Sequence, residues 1–174
     1  VGEPPRHYGN PLGEQRELAA GHAIVDLSDR DILTVTGLDR LSWLDSLTSQ
    51  RLLGLAPGES AETLLLDPSG RVEYAARVLD DGETTWLLMD AGTGAGFLAF
   101  LSKMRFMLRV EVLDRSAEFA TIGSLGVPPA ELSAVTAEGN GIPLVWHDPW
   151  RSVAAGGSTE LAGSVIMLGG HTDA

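Results

Sequence analysis

The 174-residue chain contains no cysteine, which removes disulfides, thiolate catalysis and Cys-ligated zinc or iron–sulfur centres from its own chemistry. Positive charge is scarce: 12 Lys and Arg stand against 24 Asp and Glu, a formal net charge of −12. A surface so acidic repels phosphate backbones and anionic lipid, so neither nucleic acid nor a membrane is an expected partner. Long hydrophobic runs are also missing, and none approaches the ~20 residues of a spanning helix. The opening VGEPPRHYGNPLGEQ lacks the charged-then-apolar order of a signal peptide. A soluble cytoplasmic protein is the default expectation. Val1 in place of an initiator Met, with a weakly patterned end, points to a trimmed or incomplete chain.

The hydrophobic content of 44% is enough for a core, and the length suits one domain or one domain with part of another. Asn10 before Pro11 reads as an N-cap with proline at the first helical position, and Gly21 closes that helix. AIVDLSDRDILTVTG reads as extended, with Leu33 and Val35 alternating with Thr34 and Thr36. After Gly37, LDRLSWLDSLT gathers Leu38, Leu41, Leu44 and Leu47 on one side of a short helix, with Trp43 widening the stripe.

The clearest topological signal is ETLLLDPSGRVEYAARVLDDGETTWLLMD. Asp67-Pro68-Ser69-Gly70 suits a type I turn and Asp81-Gly82 a tight hairpin. Three strands over about residues 62–67, 71–79 and 84–89 therefore form an antiparallel meander. A helix over roughly residues 95–107, a strand at LRVEVLD, a strand at EFATIGSLG, a short helix at PPAELSAV and a strand at IPLVWHD follow. SVIMLG is a candidate last strand in a Gly-rich end. Adjacent strands with intervening helices make the fold class α+β, a meander sheet packed with short helices, rather than a doubly wound parallel sheet. The organisation expected is an N-terminal extension and helix over residues 1–22, a main domain over 23–150, and a weakly patterned segment over 151–174.

One loop invites a different reading. An apolar strand, then Asp90, then Gly92, Gly94 and Gly96, then a helix, is how many S-adenosylmethionine sites begin. Asp114 or Glu111 at the end of the next strand would then hold ribose hydroxyls. As a dinucleotide fingerprint it is poorer, because Phe97 takes the third glycine's place. Its context opposes both readings: the strand before it is the third arm of a meander, and fewer than eighty residues remain to complete a parallel sheet. A turn into a helix is the preferred interpretation.

Four segments in order then carry a resemblance: PRHYGNPLGEQRELAAGHAIVDLSDRDILTVTGLDRLSWLDSLTSQ, LLLDPSGRVEYAARVL, TTWLLMDAG and LSKMRFMLRVEVLDRSAEFATIGSLG. Together they resemble the N-terminal half of the folate-binding family typified by the glycine-cleavage T-protein. More closely, they resemble its non-catalytic YgfZ-type relatives, linked to iron–sulfur cluster assembly or repair. In that family a strand ending in Gly-x-Asp starts a helix with a Leu-Thr ending, as Gly37-Leu38-Asp39 and Leu47-Thr48 do here. A Gly-centred hairpin like Pro68-Ser69-Gly70-Arg71 follows, then a strand led by tyrosine or tryptophan.

The resemblance implies a ring of related α+β domains around a central tetrahydrofolate pocket, of which this chain is one part. It also implies iron–sulfur proteins as partners. T-proteins carry their catalytic aspartate in a Gly-Gly-x-x-Asp-Asp segment, and the matching positions here are Tyr74 and Ala75. Tyrosine, with an ordinary pKa of ~10, is a poor general base near neutral pH, so aminomethyl transfer is not expected. The methionine that packs on folate in T-proteins aligns with Arg30. The relatives' downstream Lys-Gly-Cys-Tyr-x-Gly-Gln-Glu signature is absent. Two alternatives stay open: a folate-dependent aminomethyltransferase or demethylase of the same family, and an S-adenosylmethionine-dependent methyltransferase using residues 90–96.

A folate site needs apolar walls, a few fixed polar groups and cations for the glutamate tail. Lys103, Arg105 and Arg109 form the only dense basic cluster and suit that tail, although cations also favour a helix C-terminus. Asp90 aligns with a T-protein Asn near the substrate and is equally explained as a helix cap. Tyr74 and Arg77 are candidates to line the pocket, with structural cross-strand pairing as the competing role. Arg30 completes the set of candidate folate-binding residues. Trp43, Trp86 and Phe106 read as core. His7, His22, His147 and His171 show no metal-ligand spacing, and no nucleophile elbow supports hydrolase chemistry. No catalytic residue and no metal ligand is assigned.

Overall fold

The computed structural model describes residues 5–125, 132–152 and 163–169. Helix α1 (Pro11–Ala19) begins as its sequence dictates, with the Asn10 side chain accepting from Gly13 N and Glu14 reaching back to Asn10 N. The extended stretch after it does not stay one strand. It breaks into β1 (Ile24–Asp26) and β2 (Asp31–Thr36), which lie in different sheets. The break is a local turn: Asp26 Oδ1 accepts from Ser28 N, and Arg30 N donates to Leu27 O.

Helix α2 (Arg40–Leu47) leads to the meander of β3 (Ser60–Leu66), β4 (Val72–Asp80) and β5 (Thr84–Met89). Both hairpin signals place turns as expected; Asp67 Oδ1 accepts from Ser69 N and Arg71 N in the first. Helix α3 (Gly94–Met104) and β6 (Glu111–Asp114) complete a five-stranded sheet in the order β3-β4-β5-β2-β6, antiparallel throughout. β7 (Phe119–Leu125), β8 (Val145–His147) and β9 (Gly163–Gly169) join β1 in a second antiparallel sheet ordered β1-β7-β9-β8. A 3-10 turn at Pro149–Ser152 follows β8.

The five-stranded sheet is covered on both faces. Leu33, Val35, Val78, Leu87 and Met89 pack under Trp43 and Leu44 of α2 and Phe97 and Leu101 of α3. Ile32, Leu79, Trp86 and Leu88 point the other way, into Leu144, Trp146, Val165 and Met167 of the second sheet. Strand alternation thus feeds two cores, and β5 is apolar on both sides because neither side meets water.

Two expectations need correction, and a third is met. The helix expected at PPAELSAV lies partly outside the described residues. Its described part, residues 132–135, is not helical, because Val135 spends its backbone N on Met167 O and its carbonyl on Leu144 N. Helix α3 ends at Met104 rather than near residue 107, and Phe106 is 82% exposed with φ at +42°, so it is not core. The strand expected at SVIMLG is present as β9, which lies between β7 and β8. Among the described residues no helix is long and apolar enough to cross a membrane.

Candidate functional site

The glycine loop is shaped by packing. Gly94 N donates to Asp31 Oδ2 at 2.7 Å, so a carboxylate from β2 already occupies the start of α3. A Cβ on Gly94 would stand 2.7 Å from Asp31 Cβ, and one on Gly96 would stand 2.5 Å from the Tyr74 hydroxyl. Tyr74 in turn stacks on Phe97, ring centroids 5.2 Å apart. Both glycines are therefore small because neighbours approach closely. Gly96→Ala is expected to cost roughly 1 kcal/mol, against the usual gain for glycine to alanine in a helix. In a Tyr74→Phe background the cost falls, since the hydroxyl nearest the new methyl is gone. Thermal melts of the two single variants and the double variant check the coupling.

Across the opposite face, charged residues align. Arg30, just before β2, forms an ion pair with Asp90, just after β5, and Arg77 of β4 stands 3.9 Å from the same carboxylate oxygen. Arg77 also lies over the Trp146 ring at 5.5 Å. The Arg30 pKa is lowered, first by burial and then by the nearby Arg77 charge, with Asp29 opposing. Directly across β3 and β4, Glu62 faces Arg77 in register. Glu62 Oε2 accepts from Trp150 Nε1 at 3.1 Å. The structure thus brings Arg30, Arg77 and Asp90 together. Asp90 is not the side-chain cap of α3; its carbonyl accepts from Thr93.

The other candidates lie elsewhere. Tyr74, an odd number of residues from Arg77, faces the helix layer. Lys103 and Arg105 sit at the far end of α3, roughly 15 Å along its axis from Gly94. Arg109 is held by Asp39, whose Oδ2 accepts from Arg109 N and Nε and whose Oδ1 accepts from Nη2. This clamp explains the Gly-x-Asp pattern: Asp39 gives α2 no side-chain cap but fastens the chain after α3. The Arg109 hydrogen bonds hold the Asp39 carboxyl below its usual range. The sign follows directly. The clamp's contribution is full above the unfolded pKa of ~3.9 and is lost as pH falls through the lower folded value. Asp39→Asn is expected to flatten this part of the acid limb in stability measured by denaturant titration between pH 5 and pH 2, values of roughly the range where carboxylates protonate.

Sequence reasoning missed three contributors. Asp31 as the remote cap of α3 carries no local signal. Glu62 beside Arg77 follows from the hairpin register, but Trp150 is placed by β8 and has no pattern that announces it. A separate cleft of about 1070 Å³ opens between α1 and the outer side of the second sheet, over Leu18, Ile24, Ile122 and Leu168, with His7 and His22 at its edge. None of the seven candidate residues lines it. Among the described residues no group of His, Asp and Glu is arranged to hold a metal ion.

This five-stranded antiparallel sheet, with helices on one face and a second sheet on the other, matches the aminomethyltransferase T-protein fold. The solved relative that establishes this is the glycine cleavage system aminomethyltransferase T of Bartonella henselae. It matches 91% of this chain and 45% of its own at 18% identity, with a TM-score of 0.64. In sequence the chain is similar to an aminomethyltransferase of Pseudomonas syringae pv. tomato, 26% identical over 113 residues, which is 64% of this chain and 31% of that protein. The heterotetrameric sarcosine oxidase of Corynebacterium sp. U-96 also matches 91% of the chain, at 15% identity and a TM-score of 0.46, too distant to carry weight. No protein-family model matches. The chain spans about a third of the curated relative's length and under half of the solved T-protein.

Proposed function

We propose that this chain is a tetrahydrofolate-binding domain of T-protein fold, forming one part of a larger pocket and lacking aminomethyl-transfer chemistry. The observation that carries the reading is the Arg30–Asp90–Arg77 cluster, in which the Asp90 side chain is exposed. It offers two guanidiniums for glutamate carboxylates, with apolar Trp146 beneath one of them. The two positions matched to the T-protein aspartate supply no carboxylate: Tyr74 is packed on Phe97 and Ala75 is a methyl group. Residues 23–150 form the folate-binding part in this reading, and residues 151–174 are a separate, weakly patterned segment.

The accompanying cellular role is that of a YgfZ-type accessory factor in iron–sulfur cluster assembly or repair, in the cytoplasm, acting on iron–sulfur proteins as partners. Lys103 and Arg105, exposed at the end of α3, are a secondary candidate contact for a polyglutamate tail. Titration calorimetry of the chain with tetrahydrofolate tests the reading. Saturable heat is expected, with affinity falling about tenfold in Arg77→Ala, the loss typical of one charge-assisted contact. Absence of heat with reduced folates rejects it. The likeness to curated aminomethyltransferase favours one rival, a transferase or demethylase of the same fold. Methylene-tetrahydrofolate or formaldehyde formed from a methylated amine supports that rival.

A further inference from the structure

Of four tryptophans, Trp43, Trp86 and Trp146 are buried, at 4%, 6% and 4% exposure, whereas Trp150 is 52% exposed. An indole left half in water gives up much of the transfer free energy that normally draws it inside. Yet Trp150 is not loose. Its backbone N donates to Asp148 Oδ1 at 2.8 Å and its Nε1 donates to Glu62 Oε2 at 3.1 Å. The indole edge is therefore fixed while the residue remains half open. A rigid, exposed aromatic beside an aligned row of charges is what a planar heterocycle needs for stacking.

Glu62 adds the second half of the argument. It shares the Arg77 face of the sheet, directly opposite Arg77 in the β3–β4 register. Among the described residues it forms no ion pair, and its Oε1 takes no hydrogen bond, so it retains acceptor capacity. Asp90, by contrast, sits between two guanidiniums. Glu62 of β3, Arg77 of β4, Asp90 just after β5 and Arg30 just before β2 lie on strands that are consecutive in the sheet. At a strand spacing of ~4.8 Å the four positions span about 14 Å across the sheet, Asp90 and Arg30 lying two residues along from the positions in line with Arg77, with the Glu62 carboxylate and an aromatic at one end and cations at the other.

We propose that Trp150 and Glu62 form the pterin end of the site. The heterocycle stacks on the indole and its amino-pyrimidinone N–H groups donate to Glu62 Oε1, while the glutamate end of the ligand runs toward Arg77 and Arg30. This rests on the folate reading above and gives that site a direction. It assigns the pterin acceptor to Glu62 rather than to Asp90.

The test titrates the chain and its Trp150→Ala, Trp150→Phe and Glu62→Gln variants with tetrahydrofolate and with p-aminobenzoylglutamate, which keeps the tail and lacks the pterin. Trp150→Ala and Glu62→Gln are expected to weaken tetrahydrofolate roughly tenfold, and Trp150→Phe by no more than about threefold, since a benzene ring still stacks. The tail fragment binds all four proteins alike. If tetrahydrofolate binds the variants as it binds the parent chain, the pterin assignment is overturned and the folate reading stands. Equal loss of fragment and whole ligand overturns the assignment as well, because it marks damage to the site at large. Failure of the parent chain to bind tetrahydrofolate removes both.

Discussion

Asp80→Ala lowers the stability of the chain by about 3–5 kcal/mol, the cost of stripping the partner from a buried charge. Asp80 is fully buried at the end of β4, where Oδ1 and Oδ2 accept from Arg40 Nη2 and Nε at 2.8 and 2.9 Å. The Thr85 hydroxyl donates to Oδ2 at 2.6 Å, and Gly82 N donates to Oδ1 at 2.9 Å. The Arg40 side chain is only 11% exposed, so removing the carboxylate leaves a guanidinium with nowhere to go. The Asp80 hydrogen bond, more than any other influence, raises the Arg40 pKa further above its already high ordinary value, with burial opposing it. For a chain of this size the loss corresponds to a fall of roughly 10 °C or more in melting temperature. Arg40→Met combined with Asp80→Leu should recover most of it, because neither charge is then left alone. A loss below ~1 kcal/mol in Asp80→Ala would mean that water reaches the pair.

Gly37→Ala is the second large effect. Gly37 has φ at +106°, and a Cβ there would stand 2.0 Å from Arg109 O, a backbone atom that cannot swing aside. Strain of this kind costs about 1–3 kcal/mol before any clash, so the total is expected to reach at least ~3 kcal/mol. The consequence extends past stability. Gly37 O also accepts from Arg40 N at the start of α2, and Asp39 fastens Arg109 next door. The substitution should therefore loosen the junction of β2, α2 and β6 as a unit. Calorimetric melts measure the loss, and hydrogen exchange shows its spread. A melting temperature within ~1 °C of the parent chain would contradict the close approach.

The same two residues show what the sequence disclosed and what it withheld. Gly37-Leu38-Asp39 is legible as a pattern, and the turns at Gly70 and Gly82 are legible as chemistry, so the antiparallel meander is legible in the sequence. What Asp39 does was not legible, because its partner Arg109 is 70 residues away. The apolar run from Trp86 to Met89 reads as a buried strand, and both faces of β5 are covered, by helices and a second antiparallel sheet. Phe106 was misread because its apolar side chain says nothing about where α3 stops. Of the site, Arg30, Arg77 and Asp90 were named from the sequence and meet in space. Lys103, Arg105 and Arg109 are close along the chain, but Lys103 and Arg105 stand at the far end of α3 and Arg109 is held by Asp39. Trp150 could not be found at all, since only the β8–β9 pairing and the 3-10 turn bring it to Glu62.

The central claim is that the meander sheet, and not the glycine loop, presents the ligand-binding surface. Hydrogen–deuterium exchange of the chain with and without tetrahydrofolate tests it most directly, with S-adenosylmethionine as the comparison ligand. The account predicts slowed exchange at residues 29–31, 75–78 and 88–91 with tetrahydrofolate and no change with S-adenosylmethionine. Protection of residues 92–97 by S-adenosylmethionine, with none from the folate, would contradict it.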